Sequence, residues 1–501
     1  MKRILGLIGL FCVALALPAG AARAGLSFGI SEDRARAEAP GPFFTEMNDL
    51  GLTQNRAALE WDPANPDAIP GDVGSWLQIA QDHGIRVVLS LSAKDARDLS
   101  AAGRPAQFAA WAAHIAQTFP QVKDFVIGNE PNQPYFWLPQ FDEAGRPLSA
   151  AAYEPVLAES YDALKAVDST INVIGIGLSP RGNDNPSARS NKSRSPIRFL
   201  HDLGVAYRAS GRTKPLMDEL GYHPYPAKNT DAPSVGYTWP NAGLPNLDRL
   251  KQSVWDAFNG TAQPTFAETG SQTFAQPLKL ELDEIGWQVA IPPAYAGLYF
   301  GTETYPTVDD ATQAEYYADS ILMAECDPSV SSLSFFLLRD EPDLTRWQSG
   351  LEYVNGDGRP SYTAVKQTIA QTQGNCQSAP VTWRHTSQVV LPTVSWGNLT
   401  HIRPLRSTNW SFVGGAREQA TFRAGIFKAG TSRRTIARAL TSGRPRPLLS
   451  VTGVIKARNR VVQFPGRRLK RGRYVFAILM RASMNPVRST QLVSRPFRVG
   501  R

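Results

Sequence analysis

Between residues 25 and 375 two hydrophobic rhythms alternate along the chain. One has helical spacing: in PAQFAAWAAHIAQTFPQVKD, Phe108, Trp111, Ala112, Ile115 and Phe119 share one face, so the stretch predicts a helix with a side to bury. The other is a short apolar run of strand length, such as the FVIGNE that follows. The same pairing joins DVGSWLQIAQDHG to IRVVLSLS, and it recurs within YEPVLAESYDALKAVDSTINVIGIGLS and IRFLHDLGVAYRASGRTKPLMDELGYHPY. It returns in NLDRLKQSVWDAFNGTAQPTFAETG and TQAEYYADSILMAECDPSVSSLSFFLLRD. With LSFGIS and LTQNRAALEW in front, the strands number eight.

Eight strands joined by helices predict an α/β architecture, because parallel strands need crossover connections and eight of them close on themselves. The expectation is a (β/α)8 TIM barrel over residues 25–378. An open doubly wound sheet is the alternative, but no G-x-G-x-x-G follows the first strand. After GNCQSAPVTWRHT the texture changes. Residues 379–501 have few helical patterns, many β-branched residues and repeated turn signals, and alternation in GRYVFAIL and RPFRV predicts an all-β, immunoglobulin-like sandwich domain.

Charge divides the chain at the same place. Of 53 Lys and Arg and 44 Asp and Glu in the whole chain, 24 bases and the single acid Glu418 lie from residue 381 onward, which leaves 29 bases and 43 acids in front. Two units with different partners follow. The start, MKRILGLIGLFCVALALPAGAARA, has Lys2 and Arg3 before an apolar run and then Ala22-Arg23-Ala24, the layout of a cleaved signal peptide over residues 1–24. A retained membrane anchor is the alternative, although the run is short for a span. A secreted, extracellular protein is therefore expected. Outside that segment Cys326 and Cys376 form an even pair, and in an exported chain they predict a disulfide. Neither has a neighbouring His or Cys at metal spacing, so no metal and no cofactor is expected.

A barrel places its chemistry at the C-terminal tips of its strands. FVIGNEPNQ delivers Glu130 at the fourth tip, and TFAETGSQT delivers Glu268 at the end of what reads as the seventh strand. Opposite staves of one mouth face each other, and two carboxylates about 5–5.5 Å apart serve a retaining glycosidase as acid/base and nucleophile. The supporting residues are of suitable kinds. Asn129 precedes Glu130, LGYHPYP places His223 and Tyr225 at the sixth tip, and Arg56 lies on the second strand. A phenol at Tyr225 can donate to the nucleophile, and Arg56 can hold Glu268 ionised. Taken singly, each of these residues is as readily structural.

On these pieces the sequence resembles the clan A glycoside hydrolases, particularly family 39 and its family 5-like relatives. The matching elements are Asn129-Glu130-Pro131, the E-T-G of Glu268, the H-P-Y of His223 to Tyr225, and Arg56, and they span roughly residues 26–370. The resemblance implies Glu130 as acid/base, Glu268 as nucleophile and net retention without a metal. It also implies that Asn129 meets the 2-hydroxyl and that His223 and Tyr225 line the subsite. One departure stands out: where the clan sets a Trp near the end of the eighth strand, this chain has Phe335 and Phe336, so Trp347 is the candidate replacement platform. Trp137 and Trp239, on loops after the fourth and sixth strands, are candidates for stacking on sugars, and SPRGNDNPSARSNKSRSP is a candidate lid or mobile linker.

The activity expected is hydrolysis of the glycosidic bonds of an oligosaccharide or polysaccharide by a monomer. A glycan-binding barrel without turnover and a transglycosylase are the rivals. The C-terminal bases suit anionic cell-wall polymer or acidic polysaccharide, or a membrane surface; a solvated spacer is equally open. No RNA-type aromatic motif or recognition helix accompanies them, which argues against nucleic acid.

Overall fold

The computed structural model describes residues 25–37, 40–271, 274–390, 403–404, 410–457, 460–464 and 469–499. The N-terminal segment read as a signal peptide lies outside them. Eight parallel strands close into a barrel in sequence order: β1 (Ser27–Ser31), β2 (Gln54–Trp61), β3 (Arg86–Ala93), β4 (Asp124–Ile127), β5 (Asn172–Leu178), β6 (Glu219–Tyr222), β7 (Lys279–Ile285) and β8 (Val330–Phe336). Between and after them run α1 (Arg34–Ala37), α2 (Pro40–Leu50), α3 (Val73–Asp82), α4 (Arg104–Thr118), α5 (Ser149–Val167), α6 (Pro196–Ser210), α7 (Leu247–Phe258), α8 (Asp310–Ala324) and α9 (Pro360–Thr372).

The apolar stripe of α4 does what its spacing requires: Phe108, Trp111, Ala112 and Ile115 are buried in the shell between helices and sheet. The barrel's interior is different in character. Val88, Val126 and Ile174 fill one inner layer, but Gln54, Glu281 and Ser334 form a polar layer there. Gln54 donates to Glu281, and Arg86 pairs with Glu281 and Asp124. Such polar groups survive burial because they satisfy one another.

The strand predicted over TFAETG is not a barrel strand. Phe266 forms only an isolated bridge with Leu278, just ahead of β7. The seventh stave is instead KLELDEI, in which Leu280 and Leu282 are buried in the shell and the intervening acids face inward. Cys326, after α8, is disulfide-bonded to Cys376, after α9, as expected.

The C-terminal residues form antiparallel β structure. β11 (Ala420–Lys428), β12 (Leu449–Ile455), β14 (Gly472–Ala482), β15 (Ser489–Val493) and β16 (Phe497–Val499) make one sheet, and β9 (Arg403–Pro404), β10 (Trp410–Gly414) and β13 (Arg460–Gln463) make another. A helix absent from the sequence expectation, α10 (Arg433–Ser442), buries Ile436, Ala439 and Leu440 against Phe427, Val475, Ala477 and Leu479 of the larger sheet.

Candidate active site

The site is built from residues on or just after seven of the eight strands, with its two carboxylates near the tips of β4 and β7. After β4 the chain turns through Gly128, and Glu130 adopts φ of +40°, a left-handed conformation uncommon for a residue with a side chain. Its backbone N–H donates to Gly177 O at 2.9 Å, which ties the turn to β5. The carboxylate that results is 15% exposed, enough to be reached from the mouth.

Across the mouth stands Glu284, near the end of β7, its side chain 11% exposed. Between the two lies the buried ring of His223. Its Nδ1 is 2.9 Å from Glu130 Oε1 and 3.4 Å from Glu284 Oε2, so those two oxygens lie no farther apart than these two lengths taken together. Tyr225 donates its phenol to Glu284 Oε2 at 3.0 Å, and burial together with the charges of Glu284 and Glu130 keeps that phenol protonated.

Arg56 gathers the rest. From β2 its Nη1 donates to Glu284 Oε1 at 2.7 Å and to Ser31 Oγ at 3.0 Å; its Nη2 donates to Asn129 Oδ1 at 2.7 Å and to Ser90 Oγ at 3.0 Å. Burial and the neighbouring carboxylates Glu130 and Asp283 raise the Glu284 pKa, and His223 and Arg56 oppose that rise. One wall is aromatic: Trp347 stacks on Tyr225 with centroids 5.6 Å apart, and Phe336 meets both rings edge-on. Tyr305 runs parallel to Trp347 at 6.4 Å and is exposed.

Of the residues named from sequence, Glu130, Asn129, Arg56, His223, Tyr225 and Trp347 come together at this mouth. Glu268 does not. It lies beside the start of β7, where His385 Nδ1 and backbone N–H meet its carboxylate. The acid opposite Glu130 is Glu284, so the pairing of Glu130 with Glu268 is corrected. Trp137 is also corrected: it is 2% exposed and packs edge-on against Tyr153 of α5, because its loop folds back onto that helix. Trp239 sits under the Arg198 guanidinium and lines a pocket of about 270 Å³ between α6, α7 and the C-terminal unit, away from the mouth. The polar loop after β5 is tied down, since Asn132 donates to Ser179 O and Arg194 O, and Arg194 pairs with Asp184.

No model of a protein family and no curated protein matches the chain. Among solved structures it is similar to a family 39 glycoside hydrolase from the gut symbiont Bacteroides cellulosilyticus WH2, at 15% identity over 88% of this chain and 80% of that one, with a TM-score of 0.50. It is also similar to a glucosidase from Croceicoccus marinus, at 12% identity over 88% and 93% of the two chains and a TM-score of 0.47. A third is the endo-1,4-beta-mannanase from Rhizomucor miehei, at 13% identity over 70% and 95% with a TM-score of 0.43. The first likeness establishes a shared barrel fold.

Proposed function

We propose that the protein is a secreted retaining glycoside hydrolase, with Glu130 as acid/base and Glu284 as nucleophile. The observation that carries the reading is the meeting of both carboxylates on one nitrogen of His223 across the barrel mouth. Two carboxyl groups held this near each other suit a mechanism in which one attacks an anomeric carbon while the other serves the glycosidic oxygen.

In the first step Glu284 Oε attacks the anomeric carbon as the bond to the glycosidic oxygen breaks, and Glu130 gives that oxygen its proton. In the second step Glu130 takes a proton from water, whose oxygen displaces Glu284. Arg56 opposes the rise of the Glu284 pKa, and Arg56 and Tyr225 together aim its carboxylate until it attacks. Asn129 gives its amide oxygen to Arg56, leaving its NH₂ as the donor for a sugar hydroxyl beside the reacting carbon. Tyr225, Phe336 and Trp347 offer apolar ring faces for a saccharide. The two carboxylates suffice for this chemistry without a cofactor. The basic C-terminal unit fits contact with an anionic polysaccharide or cell-wall polymer, and retention on such a polymer is expected to fall steeply as salt rises.

The test is covalent trapping. A 2-deoxy-2-fluoro glycoside with a good leaving group is incubated with the protein, and the labelled peptide is sequenced by mass spectrometry. A sugar ester on Glu284 is expected, together with loss of turnover in Glu284→Gln and Glu130→Gln and its retention in Glu268→Gln. A label on another residue, or full turnover by Glu284→Gln, would remove the assignment.

A further inference from the structure

Successive residues of a strand point to opposite faces, yet Asp283 and Glu284 both turn toward Arg56 and His223. The register explains how. Between Leu282 and Ile285 β7 advances three residues, while its partner β8 advances two, from Leu333 to Phe335. A bulge of this kind re-aims a side chain, and here it puts two consecutive acids inside the barrel. Asp283 is fully buried, with Oδ2 3.2 Å from Arg56 Nε and Oδ1 3.3 Å from His223 Nε2. Glycines leave the room: a Cβ on Gly221 would stand 3.2 Å from Asp283 Oδ2, and one on Gly177 would stand 3.4 Å from His223 Nε2.

We propose that Asp283 is a positioning residue, which from beneath the mouth fixes the His223 ring and the Arg56 guanidinium in the orientations from which they serve Glu130 and Glu284. Its kinetic consequence rests on the glycosidase reading; its geometric part does not. Only the imidazolium pairs by charge with anions on both of its sides, and the contact at Nε2 is a charge pair without hydrogen-bond geometry. His223 faces carboxylates on both sides: Glu130 and Glu284 at Nδ1 and Asp283 at Nε2, with Tyr225 beside the ring. Burial works against its charge, but Glu284, Asp283 and Glu130 outweigh burial and push its pKa up to about 10. Without Asp283, Nε2 has no anion to face and the imidazolium gives up its proton more readily. At acid pH the ring stays charged, so what Glu284 loses there is the push of Asp283.

The experiment is a ¹⁵N NMR titration of the histidine rings in the full chain and in Asp283→Asn, run beside a pH profile of kcat/KM on an aryl glycoside. In the unaltered protein His223 is expected to keep imidazolium shifts to pH 9. In the variant it is expected to titrate at least one pH unit lower, while kcat/KM falls by about 10–100-fold and its acid limb moves to lower pH, because the ring stays charged there and Asp283 no longer raises the Glu284 pKa. Should the substituted chain not fold, Asp283→Ser, which removes the same charge with a smaller side chain, supplies the same comparison. A His223 that titrates near 6.5 in the unaltered protein, or one unmoved by either substitution, overturns the proposal. The titration needs no turnover, so a protein that cleaves no glycoside yet shows the His223 shift removes the glycosidase reading and leaves the role of Asp283 standing.

Discussion

Two residues at the mouth show how local chemistry is held in place. The left-handed backbone of Glu130 costs about 1–3 kcal/mol, and the bond from its N–H to Gly177 O helps to hold the turn there. Tyr225 acts on the partner acid. Its bond to Glu284 Oε2 is a hydrogen bond to a charged group, worth about 1.5–3 kcal/mol, so Tyr225→Phe is expected to lower kcat/KM by about 10–100-fold on an aryl glycoside. Titration gives a second expectation. Glu32 and Glu352 by burial, and Glu219 by burial and the charge of Glu281, have pKa values raised to about 7. A carboxyl raised on folding binds more protons in the native than in the unfolded state, so its contribution is complete below about 4.5 and is lost as pH climbs to about 7. His223, raised from 6.5 to about 10, extends the same sign of slope upward. The thermal midpoint is therefore expected to be higher at pH 5 than at pH 8, and Glu32→Gln is expected to flatten that dependence, as read by calorimetry.

At the scale of elements, the disulfide makes the next claim. It joins the ends of α8 and α9 across a sequence separation of 50, helices that pack on the staves closing the barrel. Replacing Cys326 and Cys376 by Ser is expected to cost about 2–4 kcal/mol in denaturant unfolding, with the mouth and its turnover unchanged. The helices and most staves were legible because their apolar positions follow periods of 3.6 and 2, as the buried face of α4 illustrates. Glu130, His223 and Tyr225 were legible for a related reason: each interrupts or follows an apolar run where a polar group belongs only at a tip. The seventh stave misled. Its alternation at Leu278, Leu280 and Leu282 was present in the sequence, but TFAE, just ahead of it, looked like a strand ending on an acid. Burial of Glu281, Asp283 and Glu284 depends on Arg86 and Gln54 below and on Arg56 and His223 above. Such partners, distant in sequence, belong to the closed barrel and have no signature in a local window. The bulge that brings Glu284 inside is likewise a register between two strands, so only the assembled sheet displays it.

The whole molecule joins an acidic barrel to a basic β unit, and one buried arginine carries much of the joint. Arg488, 3% exposed, donates Nη1 to Glu418 Oε1 at 2.9 Å and Nη2 to Glu418 Oε2 at 2.5 Å, and its Nη2 lies 2.9 Å from Asp256 Oδ2 on α7. Asn485 donates to Asp256 as well, and Arg198 of α6 reaches Gln419. Glu418 is the one acid in the chain beyond residue 380, so in a unit rich in Arg its carboxylate is spent on this bridge. Removing the guanidinium strands two buried carboxylates, at a cost of about 3–5 kcal/mol. Because the pair is buried, salt screens it little, unlike the exposed bases. Arg488→Met is therefore expected to split one calorimetric transition into two, with the C-terminal unit melting first at low and high salt alike. Below that first transition turnover is expected to equal that of the unaltered protein, since Arg488 touches no residue of the Glu130 and Glu284 mouth. A single transition at the original temperature would mean that the two units are held by their other contacts, and the bridge would then be a consequence of docking and not its cause.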